Sequence, residues 1–141
     1  MTFELHPNFS SKAFITDLPL SRVFLEDEKN YPWIFLIPRR ATIAKIMDLS
    51  LEDQIQLIKE LDVAQKMIWE QFKPTQINVA ALGNKTPQLH VHVIARYNYD
   101  PAWPATVWDH PIRLKYTSEE KESMTKLLKD KFDKQISSGA L

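Results

Sequence analysis

Apolar and polar positions repeat with two different periods along this chain, and the change of period separates predicted strands from predicted helices. Short β-branched or aromatic runs predict strands at residues 21–26, 33–38, 76–82 and 88–96, with a further short strand around 41–43. A polar stretch at residues 27–30 lies between the first two runs and indicates the turn of a hairpin.

Two longer segments have the spacing of amphipathic helices. The first follows Ser50, a favourable N-cap, and ends before Pro74. We expect one apolar face on it, made of Leu51, Ile55, Ile58, Leu61, Ala64, Ile68 and Phe72. The second follows the capping-box pair Thr117 and Glu120 and runs to about Lys134. The order strands, helix, strands, helix predicts an α+β domain in which helices cover an antiparallel sheet.

Composition narrows the classes of function. Eighteen basic and eighteen acidic residues balance, so nothing predicts electrostatic capture of nucleic acid or of an anionic membrane. No apolar run has the length of a transmembrane helix, no secretory signal is visible at the N-terminus, and cysteine is absent, so we expect a cytoplasmic protein. With only two glycines in 141 residues, a Gly-rich phosphate loop is excluded.

The chemistry of the chain concentrates in residues 88–94, Gln-Leu-His-Val-His-Val-Ile. Because side chains alternate along a strand, Gln88, His90 and His92 share one face, and the apolar residues between them share the other. A neutral imidazole is a nucleophile, a general base or a metal ligand near neutral pH. Two alternatives to a catalytic site remain. Both histidines could serve only as hydrogen-bonded structural residues, or they could form a His-x-His metal site, although a metal needs further ligands.

The same residues resemble the signature of the histidine triad superfamily of nucleotide hydrolases and transferases, in which three histidines alternate with apolar residues. The chain matches this pattern at His90 and His92 and departs from it at Gln88. The strand at residues 33–38, ending in Ile-Pro before two arginines, is similar to the core strand that precedes the helix in this family. The resemblance implies one histidine triad domain over residues 1–141, with a five-stranded antiparallel sheet, two main helices and a two-fold homodimer.

The resemblance also implies roles for individual residues. His90 corresponds to the nucleophile that attacks the α-phosphate of a nucleotide and forms a covalent nucleotidyl-histidine, and His92 to the histidine that contacts the phosphate. Gln88 replaces the first histidine, and we expect it to donate a hydrogen bond to a phosphate oxygen without exchanging a proton. Asp27 corresponds to the ribose contact, and Asn78 and Asn84 to amide groups of the substrate site. Asp27 and Asn84 are equally suited to shaping turns.

The expected function is therefore hydrolysis of nucleoside phosphoramidates, dinucleoside polyphosphates or related nucleotides, with no cofactor and no metal. A nucleotide-binding protein with little turnover is the first alternative, because Gln88 departs from the motif. A metal protein that uses His90 and His92 is the second. Trp103 and Trp108 are candidates for closing the pocket or for anchoring their proline-rich loop.

Overall fold

The computed structural model describes residues 1–141 as one five-stranded sheet with two long helices. The strands are β1 (Ala13–Asp17), β2 (Ser21–Leu25), β3 (Trp33–Pro38), β4 (Gln76–Ala81) and β5 (Val91–Arg96), and the helices are α1 (Leu51–Phe72) and α2 (Ser118–Ser137). Short 3₁₀ turns lie at Pro7–Phe9, Ile46–Asp48 and Val107–Asp109. The predicted α+β class with an antiparallel five-stranded sheet is confirmed.

The sheet has the order β1-β2-β3-β5-β4, and all neighbouring strands are antiparallel. Phe24 pairs with Phe35, and Phe35 pairs with His92, so these residues form a row across one face. The row beside it, Val23, Leu36 and Val91, points to the other face. Period-two alternation thus gives the sheet one apolar face and one face that carries histidine.

Both helices pack on the apolar face. Leu61, Ala64 and Ile68 of α1 and Leu128 and Phe132 of α2 join the strands in the main core. The opposite face is covered differently. Phe9, from the residues before β1, packs on Phe24, Phe35 and Ile37, and the segment after β5 covers Trp33 and Ile94. The histidine-bearing face is therefore covered by two loops, which leave a cleft between them.

Helix α1 buries only part of the apolar face predicted for it. Leu61, Ala64 and Ile68 lie in the core as expected. Ser50 caps it as expected, since the hydroxyl accepts a hydrogen bond from the Asp53 N–H at 3.1 Å. Leu51, Ile55 and Ile58, however, are 72%, 52% and 65% exposed. The helix has two apolar stripes, and the core takes the one that contains Leu57, Leu61, Ala64 and Ile68. A count of apolar residues cannot tell such stripes apart.

The predicted strands differ from the observed ones at three places. Strand β1 has no counterpart among the predicted strands. The predicted strand at 41–43 is a turn, in which Thr42 has a φ of 58°. The motif strand begins at Val91 rather than at Gln88, because the chain leaves the ladder there and the Leu89 N–H donates to the Ile43 carbonyl instead. Neither helix is long and apolar enough to span a membrane.

Candidate active site

His90 lies just before β5 and is 8% exposed. Its Nδ1 is 2.7 Å from the main-chain carbonyl oxygen of Gln88. A carbonyl only accepts hydrogen bonds, so Nδ1 carries the proton and Nε2 of the neutral ring keeps its lone pair. Phe9 packs edge-on against the ring, with centroids 4.9 Å apart. His90 is therefore a buried imidazole with one nitrogen held and the other free to react.

His92 holds its proton on the opposite nitrogen. The indole N–H of Trp33 donates to His92 Nδ1 at 2.9 Å, and an indole nitrogen cannot accept, so the neutral ring carries its proton on Nε2. Burial, with smaller contributions from His90 and Lys12, lowers the pKa of His92 from 6.5 to about 3. Near neutral pH, His92 is an uncharged hydrogen-bond donor.

The two imidazoles line one cleft of about 450 Å³, which we call the histidine cleft. Their ring centroids are 5.0 Å apart with an interplanar angle of 80°. Phe9 and Lys12 contribute from the N-terminal side, and Trp108 and Arg113 from the segment after β5. The prediction that His90 and His92 share one face is confirmed by this arrangement.

A second cleft of about 500 Å³ adjoins the first, and five residues line both: Lys12, Glu26, His92, Trp108 and Arg113. Its lining includes four cationic side chains, Lys12, Arg113, Lys115 and Lys121, so we call it the basic cleft. Glu26 lines both clefts and forms an ion pair with Lys12. Cationic side chains beside two imidazoles suit a ligand with several negative charges.

The side chain of Gln88 does not line either cleft. Its Oε1 accepts from the His6 N–H at 2.8 Å, and its Nε2 donates to the Glu4 carbonyl at 2.9 Å. Both hydrogen-bonding groups of the amide are thus engaged by the N-terminal main chain. The expectation that this amide contacts a phosphate does not match the geometry. Gln88 contacts the site only through its main-chain carbonyl, which holds His90 Nδ1.

Asp27 lies at the basic cleft, but its oxygens already have partners. Oδ1 accepts from the Tyr116 N–H at 2.9 Å, and Oδ2 is 3.3 Å from Lys121 Nζ. Partial burial raises the pKa of Asp27, but the Tyr116 and Lys121 hydrogen bonds outweigh it, and the net shift is downward. These contacts anchor the start of α2 to the β2–β3 turn, so a ribose contact by Asp27 stays a prediction.

Of the two predicted amides, only Asn84 lies at the histidine cleft, where it is exposed at the rim. Asn78 pairs with Ile94 on β5, which makes it a diagonal neighbour of Arg96. Its Oδ1 accepts from Arg96 at 2.8 Å. The half-buried Asn78 therefore belongs to the structural network around the buried Arg96, and the prediction that it binds substrate does not match the geometry.

Arg96 organises the segment that carries Trp108. The guanidinium binds both Asp100 oxygens, at 2.8 and 3.1 Å, and donates to the Ala105 carbonyl at 2.8 Å. It also lies 5.8 Å from the ring centroid of Trp103. Trp103 is thus a loop anchor, whereas Trp108 contacts Trp33 and His92 edge-on, with centroids 5.5 and 5.1 Å away, and covers the site.

The predicted site lacks Phe9, Lys12, Glu26 and the indole N–H of Trp33, and it also lacks the cationic side chains Arg113, Lys115 and Lys121. Glu26 could have been found from the alternation, because it follows Phe24 by two residues and Phe24 lies in the same row as His92. Phe9 and Lys12 carry no comparable signal, since they precede a strand that was not predicted. No three His, Cys, Asp or Glu side chains are grouped closely enough to hold a metal ion.

Comparison with known proteins adds a family and several relatives. Residues 8–99 match the sequence model of the HIT domain. A histidine triad protein from Bradyrhizobium japonicum is 39% identical, with a TM-score of 0.88, over 93% of this chain and 98% of that one. A histidine triad protein from Marinobacter aquaeolei is 35% identical, with a TM-score of 0.90, over 95% of this chain and 98% of that one.

The curated relatives are more distant. The bis(5'-adenosyl)-triphosphatase of Saccharomyces cerevisiae is 27% identical in an alignment of length 106, which covers 64% of this chain and 50% of that protein. The chain thus spans about half the length of the curated relatives that it matches.

Proposed function

The chain belongs to the HIT domain family, and from this premise we propose that it is a nucleotidyl hydrolase that acts through a covalent intermediate on His90. The observation that carries the proposal is the 2.7 Å contact between His90 Nδ1 and the Gln88 carbonyl. This contact leaves Nε2 as the unprotonated nitrogen of a buried ring, as a histidine nucleophile requires.

In the proposed reaction, His90 Nε2 attacks the α-phosphorus of a nucleotide. A P–N bond forms, and the P–O bond to the leaving group breaks with its electron pair. The Nδ1–H bond to the Gln88 carbonyl stabilises the positive charge that develops on the ring. Water then attacks the phosphorus and loses a proton, the P–N bond breaks, and a nucleoside monophosphate and neutral His90 result.

His92 supports both steps as a donor. Its Nε2–H is directed by the Trp33 contact and is available to an oxygen of the reacting phosphate. It carries no second proton near neutral pH, because burial, His90 and Lys12 hold its pKa at about 3. His92 therefore stabilises charge and does not act as a general acid.

This property bears on the leaving group. An amine leaves phosphorus after it has taken up a proton, whereas a nucleoside polyphosphate leaves as an anion. Lys12, Lys85 and Arg113 line the histidine cleft and suit such an anion. We therefore propose dinucleoside polyphosphates as better substrates than phosphoramidates, and the similarity to a bis(5'-adenosyl)-triphosphatase supports this choice.

The test is a substrate panel of diadenosine polyphosphates and adenosine phosphoramidate, read by product formation and by the intact mass of the protein. We expect a nucleoside monophosphate adduct on His90. His90→Ala should remove the adduct and lower turnover by at least ~10³-fold, and His92→Ala should lower turnover less. His110→Ala is the matched control, because His110 lies outside both clefts. Nucleotide affinity without adduct or turnover would identify a binding protein instead.

We also propose that the protein is a two-fold homodimer, as the family resemblance implies. The exposed stripe Leu51, Ile55 and Ile58 on α1 supports this proposal, because each of these apolar residues is more than half exposed in the single chain. Strand β4, which lies at the edge of the sheet, leaves one side of its main chain unpaired.

A further inference from the structure

The residues before β1 form a strap along the histidine motif. We define the N-terminal strap as residues 3–9. Its main chain is bound at two points by one side chain, since Gln88 accepts from the His6 N–H at 2.8 Å and donates to the Glu4 carbonyl at 2.9 Å. The amide group thus pairs with alternate residues of the strap, as a neighbouring strand would.

Two further contacts hold the strap. Asn8 Nδ2 donates to the hydroxyl of Thr86 at 2.9 Å, and Thr86 is 8% exposed. Phe3 and Leu5 pack against the aromatic cluster of Phe9, Phe24 and Phe35. The strap is therefore bound both to the motif and to the histidine-bearing face of the sheet.

The strap ends at the reacting histidine. Phe9 is 6% exposed, and its ring is 4.9 Å from that of His90 and 5.6 Å from that of Phe35. Asn8 and Phe9 line the histidine cleft, and the chain continues directly to Lys12, which lines both clefts. One wall of the cleft thus consists of residues whose position depends on the strap.

We propose that Gln88 is a positioning residue that fixes the N-terminal strap, and that the strap determines how tightly the cleft binds its substrate. This role of Gln88 rests on the proposed nucleotidyl hydrolysis. Gln88 acts on substrate binding indirectly, because the strap that it holds positions Phe9 and Lys12. It takes no part in the chemical step through its side chain. Imidazole cannot replace the amide here, because its donor and acceptor lie on opposite sides of a ring and not on one terminal group.

The proposal separates KM from kcat. Substitution of Gln88 retains its main-chain carbonyl, which holds His90, so the nucleophile keeps its orientation. Release of the strap removes contacts of Phe9 and Lys12 with bound substrate. For Gln88→Leu and Gln88→His we expect KM to rise about tenfold, with kcat within about threefold of the wild-type value, as for lost uniform binding.

The test combines hydrogen exchange with steady-state kinetics on the full chain. In both Gln88 variants, the main-chain amides of His6, Asn8 and Phe9 should exchange about tenfold faster. The His6 N–H loses its acceptor on Gln88, and the other two amides are bonded to His6, which the strap no longer holds in place. Gln76→Leu is the matched control, since Gln76 is exposed and its Oε1 accepts only from the neighbouring Ile77 N–H. Leu5→Ser loosens the strap without altering the motif and should reproduce the faster exchange and the higher KM.

Unchanged exchange in Gln88→Leu would overturn the proposal, and so would faster exchange with unchanged KM. A lower kcat with unchanged exchange would show that the amide acts in the chemical step. A higher kcat in Gln88→His would restore the interpretation of Gln88 as a weakened triad histidine. If the wild-type protein turns over no nucleotide, the proposed function fails, and the exchange of the His6, Asn8 and Phe9 amides still decides whether Gln88 holds the strap.

Discussion

The buried neutral state of His92 makes the stability of the fold depend on pH. The pKa of His92 is lowered by burial, by His90 and by Lys12 to about 3, against 6.5 for an exposed histidine. Between these two values the unfolded chain binds a proton at this position and the folded protein does not. Stability therefore rises with pH across this interval, and it falls as acid is added below pH 6.5.

The size of the effect follows from the two pKa values. Between pH 6.5 and the pKa of His92 in the folded protein, each unit by which the pH falls lowers the free energy of unfolding by about 1.4 kcal/mol. From pH 7 to pH 5 the loss due to His92 is about 2 kcal/mol. A small domain has a total stability of about 5–15 kcal/mol, so this loss is measurable by denaturant unfolding.

The assay compares the wild-type protein with His92→Asn in urea at pH 7 and pH 5, with tryptophan fluorescence as the signal. The asparagine oxygen offers Trp33 an acceptor near the place of Nδ1 and does not titrate. Other titrating groups are common to both proteins and cancel in the difference. The wild-type protein should lose about 2 kcal/mol more than His92→Asn. Equal losses would refute the reasoning that His92 is buried in its neutral form.

Three further predictions concern single contacts. Trp33→Phe should free His92 Nδ1, mix its tautomers in ¹⁵N NMR spectra and lower kcat about tenfold, as for one lost hydrogen bond; a single unchanged tautomer would contradict this. Asp100→Ala should lower the free energy of unfolding in urea by about 3 kcal/mol, because it leaves the charge of Arg96 buried without its partner; both side chains are 2% exposed. A loss below ~1 kcal/mol, as for an exposed ion pair, would contradict this prediction. Ile58→Glu should yield monomers in analytical ultracentrifugation if α1 lies in a dimer interface, and an unchanged sedimentation coefficient would remove α1 from it.

The sequence predicted those parts of the fold in which a local pattern has one structural solution. The caps of both helices, the strand Trp33–Pro38 and the shared face of His90 and His92 were confirmed. In each case the relevant neighbours lie within four residues along the chain or follow from strand alternation. Helix α1 shows the limit of such local patterns. Its two apolar stripes look alike in the sequence, and only the tertiary structure shows which of them packs on the core.

Roles that depend on distant partners could not be predicted. Asn78 was assigned to the substrate site by its place before the motif, but its partner is Arg96, which is 18 residues away. Gln88 was assigned a phosphate contact, but its amide is bound by residues more than 80 positions earlier in the chain. Polar side chains in strands have several possible acceptors, and tertiary packing selects among them.

The contacts of the motif also show why Gln88 can stand in place of the first motif histidine while His90, the proposed nucleophile, keeps its orientation. His90 is oriented by a main-chain carbonyl, which every residue type supplies, and His92 is oriented by an indole N–H from another strand. A carbonyl only accepts and an indole only donates, so the two imidazoles are held in opposite tautomers whatever side chain stands at position 88. That side chain is therefore free to serve another purpose, and in this chain it holds the N-terminal strap.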